Sequence, residues 1–168
     1  MHLVTALAIV IGAMGGLATY VYLGPLAPYG LAIWATFIAW ASFFHCGGNE
    51  AALRNSIFAN LWGALCATVG LVLVTQISLG ALPVTAGVWV GVSVAVMILG
   101  AHVPLFGAIP AAVYGYASTA AFALLADKLG TLLGGGLGTN PFLTIGASMI
   151  IGNLLGYVSG KIAGSLAK

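Results

Sequence analysis

Hydrophobic residues fill six stretches of the chain, and short segments rich in polar residues, glycine or proline separate them. A transmembrane helix needs about 20 apolar residues, within a range of about 17 to 25, and each stretch comes close to that length. The pattern predicts six transmembrane helices, at residues 3–23, 29–44, 56–76, 85–101, 110–126 and 142–159. The last connection, DKLGTLLGGGLGTNP, is long and glycine-rich and has room for a re-entrant or broken-helix piece.

Composition places the chain in a membrane. Of its 168 residues, 62% are hydrophobic and only 4% are charged, whereas a soluble domain has about 25% charged residues. The predicted class is an all-α, polytopic integral membrane protein, with a single transmembrane domain over residues 1–168 and the lipid bilayer as a partner. The N-terminal stretch lacks a basic region before its apolar run, so we interpret it as a retained span and not as a signal peptide.

Orientation follows from lysine and arginine near the span ends, because these residues are retained on the cytoplasmic side. With six spans, Arg54, Lys161 and Lys168 fall on the same side as both termini, and Lys128 falls on the opposite side. Both termini are therefore predicted to be cytoplasmic. No predicted span has an acidic or basic residue in its interior, which disfavours ion-coupled transport without excluding it.

Glycine and alanine recur at a spacing of four residues in several spans. Such stripes let helix backbones approach closely in lipid. They predict either tight packing inside one bundle, a homo-oligomer interface, or a narrow pore wall. The positions are Gly12 and Gly16, Gly87 and Gly91, the ladder Gly152, Gly156, Gly160 and Gly164, and shorter Gly/Ala runs at residues 59–67 and 107–115.

Two internal similarities suggest different repeats. Matching IFANLWGAL (57–65) with IPAAVYGYA (109–117) implies a helical hairpin repeated three times in one orientation. Matching Asn60-Leu61-x-Gly63 with Asn153-Leu154-x-Gly156 relates the third span to the sixth, and implies two inverted repeats of three helices. Inverted repeats place binding sites near the bilayer midplane, commonly where helices are interrupted.

Asn60 and Asn153 carry amide side chains inside predicted spans. An amide in hydrocarbon must find hydrogen-bond partners, because an unpaired polar group costs several kcal/mol there. Each therefore faces either another helix, as interhelical glue, or a water-filled path, as pore lining.

The polar stretch between the second and third spans offers further candidates. His45 is interpreted as an interfacial residue, a pH-sensitive residue at a pore mouth, or, together with Cys46, part of a metal site, although the spacing fits no recognised metal motif. No nucleotide loop or catalytic triad is present, so we predict neither an enzyme nor a cofactor, and no nucleic-acid partner. Backbone carbonyls near both Gly-rich interruptions are further solute-binding candidates, at Gly47, Gly48, Asn49, Thr139 and Asn140.

Several motifs resemble the DUF1097 family of small bacterial inner-membrane proteins. They are Phe43-Phe44, Cys46-Gly47-Gly48, the Asn-Leu-x-Gly of residues 60–63, PLFGAIPAAVYGYAS at 104–118, and the segment 152–157. The resemblance implies a bacterial inner-membrane location but carries no function. Residues 137–142 also resemble, more faintly, the LPxxTxPF element of urea transporters, with glycine in place of the first proline.

Uncharged spans with interior asparagine and two Gly-rich interruptions predict a passive channel or facilitator for a small neutral solute, such as urea, a short amide or ammonia. Side-chain amides and exposed carbonyls would replace the water that hydrates the solute. Two alternatives remain: a structural or accessory membrane subunit that binds a partner through its glycine faces, and a secondary carrier for a small ion or metabolite.

Overall fold

The computed structural model describes residues 1–167, and over these the protein is all-α with no strand. Lys168, which contributes to the predicted orientation, lies outside the described residues. Ten helical segments occur, six of them α-helices and the others single 3₁₀ turns in the connections. The α-helices are α1 (Leu3–Leu23), α2 (Ile33–His45), α3 (Glu50–Gln76), α4 (Leu82–Leu99), α5 (Ile109–Leu125) and α6 (Pro141–Leu166). The predicted fold class is confirmed.

Helix α3 is longer than its apolar stretch predicts, since it begins at Glu50 and not at Ser56. The Asn49 side chain accepts a hydrogen bond from the Ala52 amide and caps the helix. Glu50 then lies in the first turn, where the helix dipole favours a negative charge. The connection between α2 and α3 is consequently only residues 46–49, and most of the polar stretch is helical.

Helices α2 and α5 are shorter than the others, at 13 and 17 residues. With a rise of 1.5 Å per residue they extend about 20 and 26 Å, less than the roughly 30 Å hydrocarbon core. Four longer helical segments are long and apolar enough to cross a membrane: Leu3–Leu23, Glu50–Gln76, Leu82–His102 and Pro141–Leu166. The protein is therefore a membrane protein with four full-length candidate spans and two short helices between them.

Helix packing follows the inverted-repeat scheme. The most extensive contacts join α3 to α5 and α6 to α2, while α4 packs on α3 and α1 packs on α6. An inverted repeat relates α1 to α4, α2 to α5 and α3 to α6. Under this relation the α3–α5 pair corresponds to the α6–α2 pair, and the α3–α4 pair corresponds to the α6–α1 pair. The three-hairpin scheme would instead require α1 to pack on α5 as α5 packs on α3, and these two helices make no comparable contact within residues 1–167.

The sequences of α2 and α5 support the same relation. IWATFIAWAS at residues 33–42 aligns with IPAAVYGYAS at residues 109–118, so that Ser42 corresponds to Ser118 and Trp40 to Tyr116. Trp40 Nε1 donates to Ser159 Oγ at 2.9 Å. Tyr116 packs in the cluster that contains Cys66, the residue that corresponds to Ser159. The two halves thus share helix order, sequence pattern and contacts.

Glycines allow the closest helix crossings. A Cβ at Gly63 would collide with the Ala112 carbonyl, and one at Gly115 would collide with the Asn60 carbonyl, so α3 and α5 touch through their backbones. Gly152 meets the Thr36 carbonyl in the same way where α6 crosses α2. The glycine pairs on α1 and α4 are not at such crossings. A Cβ would meet nothing within 4 Å at any of their four positions, which are Gly12, Gly16, Gly87 and Gly91.

Both ends of the described chain lie on one face of the bundle, where the Met1 amino group donates to the Leu166 carbonyl at 3.4 Å. On that face Lys161 Nζ and Glu50 Oε1 form an exposed ion pair at 3.4 Å. The α1–α2 and α5–α6 connections meet on the opposite face, where Gly30 contacts Gly138. We call these the terminal face and the loop face.

Candidate functional site

Asn60 and Asn153 meet at the centre of the bundle. Asn153 Nδ2 donates to Asn60 Oδ1 at 2.8 Å, and the two residues are 0% and 1% exposed. Asn60 Nδ2 also donates to the Ala111 carbonyl of α5 at 2.8 Å, and Asn153 Nδ2 donates to the Met149 carbonyl at 2.9 Å. Since the two asparagines correspond under the repeat relation, their hydrogen bond joins the two halves of the protein.

Two serines extend this pair toward the terminal face. Ser42 and Ser56 share a hydrogen bond of 2.7 Å, and both are fully buried. Asn60 Nδ2 donates to Ser42 Oγ at 3.3 Å, and Ser56 Oγ donates to Asn60 Oδ1 at 3.5 Å. We call Ser42, Ser56, Asn60 and Asn153 the central polar cluster.

Cys46 connects the central polar cluster to the surface. Burial raises the pKa of its thiol, and hydrogen bonds with Ser56 and Ser42 lower that pKa by a smaller amount. The thiol is therefore a neutral donor or acceptor near pH 7, in contact with the two serine hydroxyls.

An open cleft of about 300 Å³ lies outside Cys46 on the terminal face. Its wall includes His45 and Asn55 together with residues of the α4–α5 connection. His45 Nδ1 shares a hydrogen bond of 2.8 Å with the Tyr114 hydroxyl of α5. We call this cleft the vestibule, and from it polar groups lead through Cys46 and the serines to Asn60.

Apolar residues lie one helical turn beyond Asn153 toward the loop face. Met149 and Ile145 of α6 are 1% and 0% exposed and pack with Ala35 and Ala39 of α2. The partly buried rings of Tyr114 and Phe122 also pack against this cluster. The central polar cluster is therefore adjacent to a packed apolar layer on the loop-face side and to the vestibule on the other.

Three buried polar atoms have no hydrogen-bond partner among the described residues. They are Asn153 Oδ1, Ser118 Oγ and Thr119 Oγ1. The orientation of the Asn153 amide is fixed by Nδ2, which donates to two oxygen acceptors, so Oδ1 is the atom that has no partner. Buried polar groups are usually paired, so three unpaired atoms in a small bundle call for an explanation.

The predicted loop residues lie apart from the central polar cluster, at the two ends of the bundle. Gly47 and Gly48 have φ values of 114° and 65° and form the turn before the Asn49 cap. Asn140 caps α6 by accepting from the Leu143 amide at 3.0 Å. Its Nδ2 holds the preceding loop by donating to three carbonyls of residues 131–134, and Thr139 Oγ1 donates within the same loop, to the Gly136 carbonyl. This connection contains one 3₁₀ turn, Leu129–Thr131.

Sequence reasoning found the two asparagines and missed their serine neighbours. Ser56 precedes Asn60 by four residues, a spacing that places both on one helix face. Ser42 and Ser118 stand out only when α2 is aligned with α5, and neither similarity used in the sequence analysis aligned those helices. Residues 1–167 hold no group of three or more His, Cys, Asp or Glu side chains that could bind a metal ion.

One comparison with known proteins gives a match. The sequence profile described as "Protein of unknown function (DUF1097)" matches residues 8–164, nearly the whole chain. The chain belongs to the DUF1097 family. The match extends over all six helices of this DUF1097 protein and over every residue of the central polar cluster.

The other comparisons give no match, since neither a curated protein nor a solved structure is similar to this DUF1097 chain. The faint likeness of residues 137–142 to urea transporters finds no counterpart in these comparisons. The family match thus confirms the resemblance to DUF1097 without adding a function.

Proposed function

We propose that this DUF1097 protein is a passive facilitator for a small, neutral, polar solute of the urea, short-amide or ammonia class. The observation that carries the proposal is the hydrogen-bonded Asn60–Asn153 pair, which is buried where the two inverted halves meet and is approached through polar groups from the vestibule. Transporters built from inverted repeats commonly bind their substrates at such a position.

The absence of charge around the pair favours a neutral solute. The side chains of the central polar cluster are amides and hydroxyls, and the ionisable groups Glu50, Arg54 and Lys161 are exposed near the terminal face. An ion would need charged or many carbonyl ligands to replace its hydration shell. Amides and hydroxyls can instead replace the few hydrogen bonds that a neutral solute makes with water.

The conformation described here is interpreted as closed toward the loop face. Beyond Asn153, the side chains of Met149 and Ile145 pack against α2, and both side chains are almost fully buried. A solute crossing the protein would need α2 and α6 to separate at this layer. Helices α2 and α5 are short and occupy corresponding positions, which makes them the candidate moving elements of a facilitator.

Flux into proteoliposomes tests the proposal. Vesicles containing the protein should swell faster in urea or formamide than protein-free vesicles, and Asn60→Leu and Asn153→Leu should reduce this difference. Gln76→Leu is the matched control, because it removes an exposed amide at the far end of α3. Swelling equal to that of protein-free vesicles for urea, formamide, glycerol and ammonia would contradict the proposal, and uptake against a gradient would indicate a coupled carrier.

The membrane and orientation complete the proposal. The family resemblance favours a bacterial inner membrane, and we infer that the terminal face is cytoplasmic because it carries Arg54 and Lys161, whereas the loop face carries Lys128. The vestibule would then open to the cytoplasm.

A second candidate, an accessory subunit or homo-oligomer, is favoured by the glycine pairs of α1 and α4. Gly12, Gly16, Gly87 and Gly91 lie on helices that are mostly exposed, with open space where a side chain would be. Such pairs allow a helix of another chain to approach closely. Cross-linking of single-cysteine variants at exposed Val88 or Val92 tests for a second copy, and co-purification of a different membrane protein would support the accessory role.

A further inference from the structure

The three unpartnered buried atoms are distributed unevenly between the two halves. In the first half, Ser42 contacts Asn60 at 3.3 Å and Ser56 completes the hydrogen-bond network. In the second half, the corresponding groups are Ser118 and Asn153, while Met149 replaces Ser56. Ser118 Oγ and Asn153 Oδ1 are both without a partner there. The second half therefore repeats the polar residues of the first without its network.

The repeat relation predicts that Ser118 lies near Asn153, as Ser42 lies near Asn60. Ser42 reaches Asn60 because α2 crosses α3 near their terminal-face ends, and the repeat relation turns this crossing into that of α5 with α6. Ser118 is 3% exposed and Asn153 is 0% exposed. A groove of about 210 Å³ between α2 and α5 is lined in part by Ser118, but Ser118 Oγ itself is buried, so a ligand reaches it only when α2 and α5 separate. Tyr114 lines this groove, and its hydroxyl shares a hydrogen bond with His45 of the vestibule wall.

We propose that Ser118 Oγ and Asn153 Oδ1 form a binding site for one small primary amide or urea molecule. This inference rests on the proposed function and names the solute contacts. Both hydrogens of the Asn153 amide are already donated, and its Oδ1 is an acceptor, so the ligand must supply an N–H or O–H donor. The Ser118 hydroxyl can donate to the carbonyl oxygen of the same ligand. No charged side chain is needed, because the ligand is neutral.

The site discriminates between classes of small molecules. A primary amide carries an N–H donor and a carbonyl acceptor on the same carbon, so one molecule can bond both an acceptor and a hydroxyl donor. A molecule with no N–H or O–H group leaves the Asn153 oxygen unpaired, and unpaired buried groups are costly. Carboxylate anions present only acceptors to that oxygen and are repelled by it.

Saturation-transfer NMR on the detergent-solubilised full chain tests the site with acetamide as the probe. Saturating the protein resonances should attenuate the acetamide methyl signal, and excess urea should reverse the effect, whereas sodium acetate should not. Ser118→Ala should weaken acetamide binding about tenfold, the effect of losing one hydrogen bond. Asn153→Leu should abolish it.

Ser93→Ala is the matched control, because Ser93 is equally buried, 5% exposed, and bonds Tyr116 outside the site. It should leave acetamide binding unchanged. Ser118→Ala removes a hydroxyl with no partner, so it should not lower thermal stability, and this variant remains informative where Asn153→Leu fails to fold. Unchanged acetamide binding in Ser118→Ala, or no saturation transfer in the wild-type protein, would overturn the site. If acetamide binds but no solute flux is measured, the binding site stands and the proposed transport is wrong. If solute flux is measured and Ser118→Ala leaves it unchanged, transport stands and the binding site is wrong.

Discussion

Asn60 Oδ1 accepts a hydrogen bond from Asn153 Nδ2 across 2.8 Å, although the two residues are 93 positions apart in the chain. Each belongs to the longest helix of its half and is almost fully buried. The bond therefore ties the two inverted halves together at their shared centre, where both side chains are almost fully shielded from the outside.

The first prediction is that Asn60 and Asn153 are energetically coupled. Asn60→Leu removes the hydrogen bonds that Asn60 makes with Asn153, Ser42 and the Ala111 carbonyl, so we expect a loss of about 1 to 3 kcal/mol in the free energy of unfolding. The double variant with Asn153→Leu should lose less than the sum of the two single variants by at least about 0.5 kcal/mol. Unfolding in sodium dodecyl sulfate, followed by circular dichroism, gives the three values. Strict additivity would show that the pair has no specific interaction.

The second prediction compares a glycine at a close helix crossing with a glycine that faces open space. Gly115→Val should prevent α5 from packing against α3, because the added side chain would collide with the Asn60 carbonyl. We expect loss of the folded, monodisperse protein in size-exclusion chromatography. Gly164→Val is the control, since Gly164 also lies in an α-helix and a Cβ there meets nothing within 4 Å. A monodisperse Gly115→Val protein would contradict the backbone contact between the helices.

The third prediction compares the corresponding helix caps. Asn49→Ala should cost about 1 kcal/mol, the usual cost of losing an N-cap. Asn140→Ala should cost more, because Asn140 caps α6 and also donates to the carbonyls of Thr131, Leu132 and Gly134. Thermal unfolding of both variants gives the order. An equal shift in the two melting temperatures would mean that the three additional hydrogen bonds add nothing.

The fourth prediction concerns the reactivity of Cys46. Because burial raises the pKa of its thiol, less thiolate is present at a given pH than at an exposed cysteine, and the thiolate is the reactive form. In a Cys66→Ser background, the maleimide labelling rate should rise with pH along a curve displaced to higher pH. Ser165→Cys in a cysteine-free chain supplies the exposed reference on the terminal face.

The same Cys46 thiol reports orientation. A membrane-impermeant maleimide should label it in inside-out vesicles and not in intact cells, because the vestibule is proposed to open to the cytoplasm. Labelling in intact cells would show that the orientation is opposite to the one proposed. In the pH experiment, a labelling curve that coincides with that of Ser165→Cys would contradict a raised pKa of the buried Cys46 thiol.

The helices themselves were largely predictable, because long apolar runs interrupted by glycine and proline leave few alternatives in a membrane. The errors have local causes. Residues 50–55 include Glu50, Arg54 and Asn55 and lie outside the predicted third span, but the Asn49 cap and good helix formers continue α3 through them. The hydrophobic pattern predicts a second span from residue 29, yet α2 begins at Ile33, because the chain before it contains the 3₁₀ turn Ala27–Tyr29 and Gly30 in a left-handed conformation.

The candidate site was predictable only in part. An isolated asparagine in an apolar run stands out in a sequence, and both central amides were found in this way. Serine does not stand out, since it satisfies its hydroxyl within its own helix as readily as across helices. Which serines contact Asn60 depends on how α2 crosses α3, and a crossing between helices leaves no mark in the sequence of either.

The shortness of α2 and its counterpart α5 has a consequence for the bilayer around them. Lipids beside a helix of about 20 Å must thin locally or admit headgroups and water below their usual depth. The permeation barrier at the centre of the protein would then be thinner than the surrounding membrane, and the height of that barrier would depend on acyl-chain length. Solute flux measured after reconstitution in lipids of increasing chain length would show how strongly the thickness of this barrier depends on the protein and how strongly on the surrounding lipid.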